Sequence, residues 1–239
     1  MKFLAIETSS KQLGVALIED DQLLSAYELL VEYPHAVELP DAVKRVLQAA
    51  RTPMDDVAVV VVDVGPGSFT GLRIGLAFVK AFVFPTGTPL VGVPSLDVLA
   101  AGLPYATTMI CPVLDAKQHN VYTACFRIEA GRLKRQTNYQ LGRLDDVLPA
   151  LEEPMIVLGD ACTLYRERML ERCPQVEIAT AEFWLPRAAI LARLGRERFL
   201  EGRHDDPAQI VPLYLYPQDC QVRGPDRPSS VLPKVIQAA

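Results

Sequence analysis

Val57-Ala58-Val59-Val60-Val61-Val62-Asp63-Val64-Gly65-Pro66-Gly67-Ser68-Phe69-Thr70-Gly71-Leu72-Arg73 is the stretch from which the fold is read. Residues 57–62 are apolar and almost all β-branched, the composition of a central strand buried on both faces. The glycines and Pro66 end that strand, and an apolar helix follows over residues 72–84. Upstream, residues 2–6, 13–18 and 22–30 read as strands, the last two joined by the turn Glu19-Asp20-Asp21. Ala36, Leu39, Val43, Val46, Leu47 and Ala50 then recur at helical spacing, with Pro40 early in the helix, where a missing N–H matters least. Downstream the pattern returns: strands over 109–114, 121–128 and 132–141, a helix over 144–151, a strand over 155–158 and a helix over 163–171. The chain therefore reads as an α/β protein built from a βββαβα unit used twice, followed by an amphipathic helix over 188–200. The expected boundaries are a first lobe over 1–104, to which 210–220 returns, a second lobe over 105–209, and a Pro-rich polar tail over 221–239.

The helix after the glycine-rich turn has only Arg73 and Lys80 as charges, seven residues apart on one narrow stripe. A helix apolar nearly all round needs cover on two sides. One cover is the protein's own sheet. The other is either another element of this chain, which makes the helix internal, or a second protein. The residues alone leave both open.

Composition narrows the function. Of 239 residues, half are hydrophobic and 22% charged, a globular balance with enough length for a sizeable core. Net charge is 24 − 29 = −5 at pH 7, which argues against a chain that grips nucleic acid over a broad surface by itself. Cys111, Cys125, Cys162, Cys173 and Cys220 form no C-x-x-C pair, so zinc-ribbon and thioredoxin chemistry are excluded and reduced thiols of a cytoplasmic protein expected. His35, His119 and His204 lie too far apart for a local two-histidine metal motif. The apolar region 72–93 is broken by Arg73, Lys80, Pro85, Gly87 and Pro89, so a membrane span is not expected.

Two places could carry chemistry. The turn holding Gly65, Gly67, Ser68, Thr70 and Arg73 lets a backbone approach closely and offers a helix N-terminus to an anion, although no Walker lysine follows. Glu7, Thr8 and Ser9 end the first strand, and Asp115 and Lys117 end the first strand of the second unit. Loops of this kind can wrap nucleotide phosphates and magnesium. The plainer alternatives are a helix-starting turn, turn hydroxyls and an exposed strand end. His35 with Glu38 would bind a metal only with ligands from another chain, and a solvated helix start is the simpler expectation.

Ile6-Glu7-Thr8-Ser9-Ser10, the block from Gly65 through Gly75, Gly92-Val93-Pro94-Ser95-Leu96 and Asp115-Ala116-Lys117 occur in the order and spacing of one family. The sequence resembles the bacterial TsaB (YeaZ) family, which serves tRNA threonylcarbamoyladenosine biosynthesis and belongs to the glycoprotease-type (M22-like) superfamily. The resemblance implies a two-lobed actin-like fold of the Hsp70 and sugar-kinase type. It also implies a non-catalytic scaffold that stabilises the catalytic paralogue TsaD and meets the small ATPase TsaE, with no catalytic residue and no metal of its own. Where the paralogue has a histidine pair at i and i+4, here His35 is followed by Leu39. The resemblance places a partner interface on the first two helices, at His35, Leu39 and Val43 and at Ile74, Phe78, Ala81 and Phe82, with a homodimer through the same helices when the chain is alone. It requires no cofactor of this chain; ATP or ADP with magnesium belongs, on this reading, to the partner interface, and direct tRNA binding is weak. Lys117 and Asn120 replace an arginine and a glutamate of the family pattern, and Tyr216 replaces an arginine, which bears on nucleotide binding more than on fold. The alternative is an autonomous ATPase or small-molecule kinase of the same superfold.

Overall fold

The computed structural model describes residues 1–30, 35–148, 154–172 and 175–215. In the first lobe, β1 (Lys2–Glu7), β2 (Gln12–Glu19) and β3 (Gln22–Leu30) precede α1 (His35–Ala49), β4 (Val59–Gly65), α2 (Phe69–Thr86), β5 (Leu90–Pro94) and α3 (Ser95–Ala101). The sheet order is β3-β2-β1-β4-β5. The valine run is β4, parallel to β1 with Phe3 opposite Val59 and Ile6 opposite Val62. Its alternation fills two cores. Val60 and Val62 join Leu4 and Ile6 under α1 and α2, and Val59 and Val61 join Phe3 and Ala5 on the other face.

The second lobe holds β6 (Met109–Asp115), β7 (Asn120–Thr123), β8 (Phe126–Glu129), β9 (Arg132–Arg135), β10 (Gln140–Arg143), α4 (Leu144–Val147), β11 (Met155–Leu158), α5 (Cys162–Arg172) and β12 (Val176–Ile178). Its main sheet runs β10-β7-β6-β11-β12, the order of the first lobe repeated. Two lobes with this shared strand order make the actin-like architecture. The repeat is not built from the expected strands, however. The strand read over 121–128 breaks at Ala124 and Cys125, because the Cys125 carbonyl accepts from the Gln136 and Thr137 N–H groups and its own N–H donates to Thr137 Oγ1. The strand read over 132–141 splits likewise, so β10 takes the third-strand position and β8–β9 is an added hairpin. Part of the expected 144–151 helix, Cys173, Cys220, Tyr216 and the 221–239 tail lie outside the described residues.

The last helix, α6 (Ala188–Leu200), is the other departure. It covers the first sheet, not the second lobe to which 105–209 assigned it: Leu191, Ala192 and Leu194 join Phe3, Ala5, Val59 and Val61 in one core. Gly195 makes the approach possible, since a Cβ there would stand 2.3 Å from Val61 Cγ1. After α6 the chain returns to the first lobe, where Asp205 N–H donates to Leu90 O and Leu213 N–H to Val64 O.

Candidate functional site

Gly67, Gly71 and Gly75 form a stripe, spaced by four, along the turn and the first half of α2, and the β1–β2 loop lies on it. A Cβ would stand 2.3 Å from Ser9 O at Gly67, 2.0 Å from Thr8 O at Gly71 and 2.3 Å from Thr8 Oγ1 at Gly75. Ser68 N–H donates to Ser9 O at 2.6 Å, and Ser68 Oγ caps the helix by accepting from Gly71 N–H at 3.2 Å. Gly65 has φ +97°, so the turn also needs glycine conformationally. Of the residues expected to meet a phosphate, Glu7, Thr8 and Ser9 are therefore buried inside the chain, and Gly65 and Gly67 serve the seating of that loop. Ser68, Thr70 and Arg73 are exposed. Arg73 lies 3.9 Å over the Phe69 ring and donates to Tyr214 Oη at 3.1 Å, a cluster not foreseen from the sequence.

Under the turn sits a pair of acids. Glu7 ends β1, Asp63 stands near the end of β4, and both are fully buried. Glu7 Oε1 accepts from Ser9 N–H and Ser9 Oγ–H, each at 2.6 Å. Asp63 Oδ1 accepts from Gly65 N–H and Ser95 Oγ–H, each at 2.6 Å. The second oxygens, Glu7 Oε2 and Asp63 Oδ2, have no other partner. Burial pushes Glu7 well above the usual carboxylate range, and the neighbouring Asp63 charge pushes it further. Burial raises Asp63 as well. A single proton shared by the two carboxyls would satisfy both. Asp63 and Ser95 were not among the expected site residues, although a lone acid ending a valine run was a visible signal.

At the corresponding place in the second lobe, Asp115 pairs with Lys117 at 2.5 Å, a contact that raises Lys117, and Asp115 N–H donates to Asp160 Oδ1 at 2.9 Å. Burial raises Asp160, the hydrogen bond from Asp115 N–H opposes that rise, the Asp115 charge adds to it and the Lys117 charge offsets it. Lys117, Gln118 and His119 all have positive φ, a left-handed turn that no glycine announces.

The expected interface residues separate into two sets. His35, Leu39 and Val43 are buried, which corrects their assignment to a partner surface: they form the stripe of α1 that covers the sheet. The His35 imidazole Nε2 is 2.8 Å from Ser10 O, so His35 is not a solvated helix start either. The exposed side of α1 carries Val37, Pro40, Asp41 and Lys44 instead. On α2, Ile74, Phe78 and Phe82 are half-buried against the first core, and Ala81 is exposed. Only Gly71, Leu72, Gly75, Leu76, Val79 and Val83 are buried. Phe69 is 53% and Phe84 58% exposed, with Ala77 and Ala81 between them. By length and composition α2 would suffice to cross a membrane, but Leu76, Val79 and Val83 belong to the lobe's core. Among the described residues nothing covers its outer side: of its eighteen residues eight are exposed and four half-buried. Among the described residues no group of three His, Cys, Asp or Glu could hold a metal ion.

A family model described as TsaD, tRNA N6-adenosine threonylcarbamoyltransferase, matches residues 30–195. The Bacillus subtilis tRNA threonylcarbamoyladenosine biosynthesis protein TsaB is 33% identical over 220 residues, covering 90% of this chain and 94% of that protein. The Escherichia coli protein of the same name is 30% identical with the same coverage. The solved structure of YeaZ from Pseudomonas aeruginosa superposes with a TM-score of 0.77 at 24% identity, covering 89% of this chain and 99% of that one.

Proposed function

Because the chain belongs to the TsaB family of tRNA threonylcarbamoyladenosine biosynthesis proteins, we propose that it is a non-catalytic subunit that docks on a TsaD-type threonylcarbamoyltransferase through α2. The carrying observation is the arc of that helix that no described residue covers, running through Phe69, Ala77, Ala81 and Phe84 with Ile74 at its edge. A phenylalanine presents about 150–250 Å². The exposed halves of Phe69 and Phe84 thus offer about 200 Å², worth about 5 kcal/mol when buried, before the costs of association. The arc also carries both charges of the helix: Arg73, already folded onto Phe69, and the half-buried Lys80.

On this reading the chain contributes no catalytic group and needs no cofactor of its own. Any ATP or ADP with magnesium would belong to the junction with the partner, where the TsaE-type ATPase joins. Without its partner the chain covers the same arc with a second copy of itself.

The test is light scattering after size exclusion, on the chain alone and mixed with TsaD. Ala81→Glu with Phe84→Asp changes only exposed positions, so the fold should persist with an unchanged thermal melt. The wild type should give a heterodimer at the expense of a homodimer, and the double variant neither. Heterodimer formation at wild-type strength by the folded variant would overturn the assignment.

A further inference from the structure

We infer that Cys111 and Cys125 are a redox-active dithiol, which a peroxide converts into a cross-strand disulfide in the folded second lobe. The inference stands apart from the docking reading. Both residues are thiols here, both are buried, and their Sγ atoms are 2.8 Å apart.

The register brings them together. β6 pairs antiparallel with β7 through Val113 opposite Thr123, and with β8 through Ile110 opposite Phe126. Counting inward from either pair sets Cys111 opposite Cys125. The break between β7 and β8 then decides how closely they approach. Cys125 N–H donates to Thr137 Oγ1 at 2.9 Å, and its carbonyl accepts from Gln136 N–H at 2.7 Å. Its backbone is thus engaged by the chain after β9, and the two cysteines oppose each other without ladder hydrogen bonds. Opposed residues of that kind have Cα atoms about 4.5 Å apart, within the span of roughly 4.4–6.8 Å that a disulfide bridges. Strand alternation aims both sulfurs the same way. Cys111 and Cys125 share a core with Met109 and Val113, whereas Ile110 and Phe126 face the other side.

The two thiols are not equivalent. The hydrogen bond with Cys111 draws the Cys125 thiol below its ordinary value, and Thr137 adds to this against the opposing effect of burial. Cys125 is therefore the attacking sulfur. Its thiolate attacks one oxygen of the peroxide, the O–O bond breaks, and Cys125 becomes a sulfenic acid. The other oxygen takes up the thiol's proton and leaves as water. The Cys111 sulfur then attacks the sulfenic sulfur, the S–O bond breaks, and a second water leaves with the Cys111 proton. Two electrons pass from the sulfurs to the peroxide, and the chain loses two hydrogens. Hydrogen peroxide has only two heavy atoms, whereas a glutathione-sized disulfide would need the core opened. Cys162 lines the same core, but burial pushes its thiol up to about 12, which makes it the internal control.

The experiment treats the native full-length chain with a modest excess of hydrogen peroxide, then blocks the remaining thiols in denaturant. Trypsin cuts between the two cysteines at Lys117, so unreduced digests read the cross-link directly by mass spectrometry. The Cys111 and Cys125 peptides should appear joined, two hydrogens lighter than their sum, and should separate on reduction with dithiothreitol. Cys162 should be recovered as a blocked thiol. Cys111→Ser keeps a hydrogen-bond donor beside Cys125 and removes the resolving thiol, so dimedone should label Cys125 as a sulfenic acid in that variant. Should the variant fail to fold, the wild-type digest still decides. Recovery of both wild-type thiols unlinked after peroxide would overturn the inference. So would a cross-link that forms only in the denatured chain, or one that joins Cys162 to either cysteine as readily.

Discussion

Glu7→Gln isolates the buried acid pair, and its effect follows from where the proton sits. In the folded chain burial raises Glu7 well above its ordinary value, with Asp63 adding to the rise. In the unfolded chain Glu7 titrates near about 4.3. Between those two limits the folded state binds a proton that the unfolded state has released. Stability is then full below the unfolded value and falls as pH rises, by about 1.4 kcal/mol per unit, until the native pair itself ionises. One unit is a tenfold change in the folding equilibrium. Glutamine keeps the shape of the site: its carbonyl can accept from Ser9 N–H and Oγ–H, and its amide can donate to Asp63 Oδ2 without borrowing a proton from solvent. The variant should lose this pH dependence. Urea unfolding at unit steps from pH 5 upward gives the comparison. The wild-type stability minus that of Glu7→Gln should decline by about 1.4 kcal/mol per unit from pH 5. Taking the difference cancels the other raised carboxyls, Asp97 and Asp160. Parallel stability curves for the two proteins would refute the shared proton.

Gly71→Ala should destabilise the fold by about 3 kcal/mol, because the new methyl would lie 2.0 Å from a backbone oxygen that cannot swing aside; denaturant midpoints check it. Leu39→Ala should cost about 2–5 kcal/mol and Val37→Ala under about 0.5 kcal/mol, since one fills the core and the other faces solvent; equal effects would reverse the face assigned to α1. Burial pushes the Cys162 thiol up to about 12, so its peptide should stay unalkylated by iodoacetamide at pH 8 in the native protein and react on denaturation, as read by mass spectrometry.

The first lobe was legible because its signals are local. A valine run buried on both sides, a hairpin turn of acids and a helix of spaced apolar residues each dictate one element, and β4, β2–β3 and α1 follow. The second lobe hid its third strand because residues 124–125 carry no glycine or proline; the break is made by Thr137 and Gln136, distant partners for the Cys125 backbone. The place of α6 was hidden for a similar reason. Its pattern shows which face is apolar, but only Gly195 against Val61 shows which sheet that face fits. At the site, charge-bearing residues were found without their partners. Glu7 was expected to meet a phosphate or a metal and meets Asp63; His35 was expected outside and meets Ser10 O.

The glycine-rich turn shows why the motif alone was ambiguous. Glycines at a strand-to-helix junction permit something to come within about 3 Å of backbone, and an anion or another chain segment satisfies that geometry equally. Here the gaps at Gly67, Gly71 and Gly75 match Ser9 O, Thr8 O and Thr8 Oγ1. The consequence for the helix is directional. At 100° per residue the glycine stripe fixes one side of α2 against the β1–β2 loop, and Leu72, Leu76, Val79 and Val83 fix the adjacent side against the core. What remains, opposite the glycines, is the arc of Phe69, Arg73, Ala77, Lys80 and Phe84. The residues that bring the loop onto the helix therefore also determine which face of it is left for a partner. A larger residue at Gly71 or Gly75 would turn or lift that face along with the loop, so those two glycines should govern partner binding without touching the partner.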